Sequence, residues 1–245
     1  MTIRFVKPIL TTLTAVAVLF FTSCTPDTTT PTVVKEYGKI QVFHAAVDAP
    51  AIDFQVDGKK INLDSLVYSK GTAYYETELT AGKKTNFKVL AAKTGQSISL
   101  DSLQLNSKDV GYSVFVYQDK DASKTIRTLY GPDNLLAPPA GKAKVRLVHL
   151  IPDANVNIDV EAVAPGTLAT VNSQFPNVVF PSLMNYVELA KGTYDFKVKI
   201  SGTTNVLFTV PNVTFEEGKI YSFVARGLVQ QVAPRGVAVS IITNK

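Results

Sequence analysis

The 245-residue chain contains two histidines, His44 and His149. Each is followed four residues later by an aspartate, Asp48 or Asp153, and then by a second, Asp53 or Asp159. An imidazole beside two carboxylates can hold a metal ion or relay a proton. The same residue types also close loops, the ring bonding a backbone carbonyl while an aspartate forms an Asx-type turn. Zinc takes three or four N, S or O ligands, and each set offers one histidine and no cysteine, so no metal is expected and the sites read as binding loops or structural turns. A Ser/His/Asp triad is open by count alone, but no Gly-x-Ser-x-Gly, Ser-x-x-Lys, Walker loop or Gly-x-Gly-x-x-Gly accompanies it. No catalytic residue and no cofactor are therefore assigned. Tyr68, Tyr74 and Tyr75 could stack on a sugar or a partner, although Tyr74 and Tyr75 must face opposite ways in an extended segment, so one of them belongs to a core. The chain has no Trp, which weighs against a carbohydrate platform.

The histidines recur because the chain repeats. Lys39-Ile-Gln-Val-Phe-His44 aligns with Lys144-Val-Arg-Leu-Val-His149, and Ile52-Asp53 with Ile158-Asp159. Further on, Leu79 to Val89 aligns with Leu189 to Val198, and Tyr112-Ser-Val-Phe-Val with Tyr221-Ser-Phe-Val-Ala. Similarity in fixed order at a near-constant separation means two copies of one unit. Leu136-Ala-Pro-Pro-Ala-Gly141 separates them as a short, stiff linker.

Within each copy the apolar period is two. Phe87, Val89 and Ala91 alternate with Lys88 and Leu90; Tyr112, Val114 and Val116 with Ser113 and Phe115; Phe196, Val198 and Ile200 with Lys197 and Lys199. These predict half-buried strands. Turns are predicted at Asp57-Gly58, Ala81-Gly82, Thr94-Gly95, Lys191-Gly192 and Glu217-Gly218. Seven or eight short strands per hundred residues predict an all-β chain of two tandem immunoglobulin-like or transthyretin-like β-sandwich domains, residues 38–138 and 141–245.

Ahead of them, Arg4 and Lys7 precede an apolar run from Ile9 to Phe21, too short to span a bilayer and patterned as a secretory signal. It ends at Ser23-Cys24, and Cys24 is the sole cysteine. Small residues before a cysteine at this place resemble the bacterial lipobox, with Phe21 where Leu is usual. The resemblance implies a lipoprotein signal peptide at 1–23, lipidation of Cys24 and a membrane anchor. Thr25, in place of an inner-membrane retention aspartate, favours the outer membrane, on either face of it. Residues 24–37 are a Thr/Pro-rich spacer.

Three runs carry a family resemblance: His44 to Gly58, Leu129-Tyr-Gly-Pro-Asp-Asn134, and Pro138 to Ala154. They look like a bacterial domain-of-unknown-function family, DUF 4397, found in tandem in exported and lipid-anchored proteins. The resemblance implies an all-β extracytoplasmic domain and supplies no catalytic residues.

The formal charge is +5, and setting Arg4 and Lys7 aside leaves +3, with the basic residues interspersed among acids rather than forming a stripe. A nucleic-acid partner is not expected. The expected role is a membrane-anchored, non-enzymatic binding or structural module of the cell envelope for protein or glycan partners. The alternatives are a carbohydrate-binding accessory lipoprotein and a hydrolase.

Overall fold

The computed structural model describes residues 36–79, 83–105, 110–166 and 173–245. The signal segment, Cys24 and the predicted Ala81-Gly82 turn lie outside the described residues. Those described form strands, turns and loops without a helix.

The first half contains β1 (Tyr37–His44), β2 (Ile52–Val56), β3 (Lys59–Lys60), β4 (Tyr75–Glu78), β5 (Thr85–Ala91), β6 (Ser97–Leu103), β7 (Val110–Gln118) and β8 (Ile126–Asn134). The second contains β9 (Lys142–Leu150), β10 (Ile158–Val163), β11 (Phe175–Val178), β12 (Ser182–Leu183), β13 (Val187–Ala190), β14 (Gly192–Ile200), β15 (Val206–Phe215), β16 (Ile220–Arg226) and β17 (Ala238–Thr243). Each half is a two-sheet sandwich. The strand orders are β4-β1-β7-β8 and β3-β2-β5-β6 in the first, β12-β9-β16-β17 and β11-β10-β14-β15 in the second, with β13 also on β9. In both halves the opening strand runs parallel to a later one, β1 to β7 and β9 to β16.

Period-two patterning fills a separate core in each half. Ile40, Val42, Val114 and Val116 meet Phe54, Val56, Phe87 and Val89 in the first. Val145, Leu147, Phe223 and Ala225 meet Ile158, Val160, Phe196 and Val198 in the second. At roughly 1.5–3 kcal/mol for each large buried side chain, these cores supply the main driving force for both sandwiches. The Asp57-Gly58 turn joins β2 to β3 with φ of 46° and 81°, a left-handed pair that glycine makes cheap.

The other faces of β1 and β7 would be wet in a lone sandwich. Here Phe43, Phe115 and Tyr117 are buried against Val148, Leu150 and Val224 of β9 and β16. The strand predicted as half-buried at Tyr112–Val116 is therefore corrected: from Ser113 onward β7 is buried on both sides, because the two sandwiches stack through their β1/β7 and β9/β16 sheets.

The registers align the halves residue by residue. Gln41 pairs in register with Ser113 as Arg146 does with Ser222, and Ile40 sits opposite Tyr75 as Val145 does opposite Val187. Thus Tyr74 corresponds to Tyr186. Tyr68 corresponds to Phe180, since Phe43 bridges Gly71 as Val148 pairs with Leu183. Across the seam Tyr68 meets Arg226, while its counterpart Phe180 meets Tyr117, the counterpart of Arg226. Reciprocal contacts of this kind define an approximate two-fold relation. Both pairs lie at the far ends of β7 and β16, so the inner strands of the two halves run the same way.

Candidate functional site

That parallel arrangement sorts the molecule into two poles. Glu36, the linker and Lys245 share one: Lys245 Nζ donates to the Leu135 carbonyl at 2.9 Å and Lys144 Nζ to that of Leu136 at 2.8 Å. The opposite pole carries the loops after β1, β7, β9 and β16, and with them the histidines and most of the aspartates singled out from sequence.

His44 and His149 are fully buried at the ends of β1 and β9. His44 Nε2 lies 3.1 Å from the Pro50 carbonyl and its ring meets Tyr68 edge-on, while Nδ1 has no partner. Neither nitrogen of His149 has a partner, and its ring abuts Phe180. Burial lowers the pKa of both, that of His149 to about 4, whereas the Pro50 contact partly restores His44. Both rings are thus neutral at pH 7.

The aspartates do not converge on them. Asp48 accepts from Lys124 Nζ at 3.0 Å and pairs with Arg235, so the loop after β1 is tied to the second half. Burial raises its pKa, but Lys124 and Arg235 outweigh that and leave the carboxyl below its ordinary range. Asp53 takes Lys60 at 2.9 Å, Ser65 at 2.8 Å and Asn62 at 3.3 Å, pinning the hairpin after β2. Asp153 accepts the Val229 amide at 3.0 and 3.1 Å from its two oxygens. Asp159 accepts from the Asn177 and Gly202 amides and Ser201 Oγ at 2.7, 3.1 and 2.8 Å. Among the described residues no three His, Cys, Asp or Glu groups gather closely enough to hold a metal. The aspartates of the two His/Asp sets, read from the sequence as binding loops or structural turns, make separate contacts with different elements of the fold. Neither imidazole hydrogen-bonds a serine.

The three tyrosines weighed as a stacking surface contact separate elements. Tyr68 receives Arg226 Nη1 at 2.9 Å with the guanidinium over its ring, Tyr74 donates to Asp133, and Tyr75 packs on the first core. All three are engaged within the fold.

The densest polar constellation lies in the seam, and the sequence reading did not assemble it. Asp133 and Arg146 are buried and paired. Ser113 Oγ donates to Asp133 at 2.7 Å and accepts from Gln41 Nε2 at 2.8 Å and Arg146 Nη2 at 3.0 Å. Arg146 Nε donates to Ser222 Oγ, which donates to Asn244 Oδ1, both at 2.8 Å. Asn244 Nδ2 reaches the Tyr74 hydroxyl at 3.1 Å, and Tyr186 stacks under the guanidinium. The signal was present in Gln41 and Arg146, polar residues at matching places inside the apolar runs Ile40–Phe43 and Val145–Val148.

A family model described as a domain of unknown function, DUF4397, matches residues 38–161. The chain belongs to this family. The DUF4397 match spans the first half, the linker and β9, and ends within β10. No curated protein matches the chain. Among solved structures it is similar to the tip fimbrial protein Mfa3 from Porphyromonas gingivalis with C-terminal truncation, at 11% identity, covering 86% of this chain and 100% of that one, with a TM-score of 0.24. It is also similar to a candidate cell adhesion protein from Parabacteroides distasonis ATCC 8503, at 10% identity, 86% and 99% coverage, and a TM-score of 0.21. Scores this low carry no argument about the role of a DUF4397 protein.

Proposed function

We propose that this chain is an exported lipoprotein, lipidated at Cys24, whose body is a tandem pair of DUF4397 sandwiches (residues 38–138 and 141–245) acting as a non-enzymatic binding module. The loop pole takes a protein or glycan partner and faces away from the membrane. One observation carries this: the start of the body at Glu36 lies at the pole opposite the loops. An anchor attached through residues 24–37 then leaves the loops outermost, where a rigid sandwich presents binding residues. The pole exposes apolar side chains in matched places, Val67 and Val179 among them, together with Val229 and the 84%-exposed Val232. More than one acyl chain is needed for stable anchoring, which a triacylated Cys24 supplies.

Fractionation of cells expressing wild type and Cys24→Ala tests the anchor: the variant is expected in the soluble fraction, and equal release of both proteins defeats it. Orientation is read on purified membranes with a bulky maleimide. V232C should label faster than L136C at the base, and the reverse order overturns the arrangement. The carbohydrate-stacking reading is less favoured because Tyr68 and Tyr74 are committed to the seam.

A further inference from the structure

The two-fold relation makes the seam comparable to a dimer interface, and within its buried polar constellation the two sides have diverged at two positions. Gln41 in the first half corresponds to Arg146 in the second, and Asp133 corresponds to Asn244. The latter match follows from register: Gly111 lies opposite Asp133, and Ile220, the counterpart of Gly111, bonds Asn244. Elsewhere the constellation is conservative, Ser113 matching Ser222 and Tyr74 matching Tyr186.

The consequence appears on swapping partners. If two first halves met through this face, two buried Asp133 carboxylates would sit opposite Gln41 with no guanidinium. If two second halves met, two buried Arg146 side chains would find Asn244 and no carboxylate. Only a first half against a second half brings one Arg146 to one Asp133, both nearly inaccessible to water. An unpaired buried charge is among the costliest defects in an interface, and buried polar groups can fix which surfaces pair even where they add little to net stability. We propose that Arg146 and Asp133 form a recognition key. They make the inner face of each half accept the other kind of half and refuse its own kind, so neighbouring copies of this chain do not join through two like faces.

The test uses the full chain as Asp133→Asn, Arg146→Gln and the double variant, which gives both sides of the seam the same neutral residues. Each single variant strands one charge and is expected to melt about 10 °C lower. The double variant should regain more than half of that loss. It should also refold from denaturant with a concentration-dependent dimer fraction several-fold above wild type, measured by light scattering after size exclusion. Losses that simply add in the double variant overturn the proposal. So does recovered melting with an unchanged dimer fraction, which would make the pair a stabilising contact without selectivity. If a single variant fails to fold, the refolded oligomers of the double variant still decide.

Discussion

Tyr74 and Tyr186 occupy matching positions in the two halves, yet they meet different fates. Tyr74 donates to Asp133 and accepts from Asn244, whereas the buried hydroxyl of Tyr186 has no hydrogen-bond partner. Burial, with Asp133 nearby, raises the pKa of both, so each stays protonated at neutral pH. The histidines divide the same way, His44 holding one backbone contact and His149 none. Two near-identical frames thus satisfy the first half's polar groups better than the second's. Apolar cores are kept by volume alone, but a hydrogen bond survives only if both partners are kept, and where Tyr74 has the Asp133 carboxylate the second half has Asn244, whose Oδ1 accepts from Ser222 instead.

The largest test of this contrast is acid. A His with a lowered folded pKa stabilises the fold fully above its unfolded value of 6.5, and that contribution declines as pH falls toward the folded value, about 4 for His149. On the order of 3 kcal/mol should be lost across that window from His149 alone. Urea unfolding at pH 7 and pH 4 should show His149→Leu flattening the dependence more than His44→Leu; equal slopes in wild type and His149→Leu would remove the asymmetry.

Next in size is the tyrosine pair. Tyr74→Phe should lower stability by about 2 kcal/mol by stripping a donor from a buried carboxylate. Tyr186→Phe should be neutral or slightly stabilising. Equal losses in chemical denaturation would mean the Tyr186 hydroxyl has a partner after all.

Glycines break the symmetry more gently. A Cβ on Gly71 meets the Val42 carbonyl at 2.9 Å, which cannot move aside, whereas one on Gly131 meets the mobile end of Leu183. Gly71→Ala should therefore cost about 1–3 kcal/mol and Gly131→Ala less. Matched thermal melts that rank them the other way would sink this reading.

The smallest expected effect is at the loop pole. Asp48→Ala removes half-exposed pairs with Lys124 and Arg235 and should cost under about 1 kcal/mol, less in high salt. A larger, salt-insensitive loss would show the loop to be a structural clasp.

The fold was legible because alternation at Phe87–Ala91 and Phe196–Val198 needs only a strand and a core to explain it, though it stops at Lys199, which is buried against Glu161. At Tyr112–Val116 alternation failed, since Phe115 and Tyr117 are buried by a surface far along the chain that no local period records. The candidate site was legible as residue types but not as a site: His44, Asp48 and Asp53 are near in sequence and bond to different elements. Asp133 and Arg146, thirteen positions apart across the linker, are joined only by the stacking of the sheets.

The shared direction of the two halves bears on how the molecule would carry a pull. Sandwiches strung end to end feel tension in series, and the weaker gives way first. Here tension between the loop pole and the base runs along β1, β7, β9 and β16 together, loading two parallel ladders in shear, with the seam dividing the strain between them.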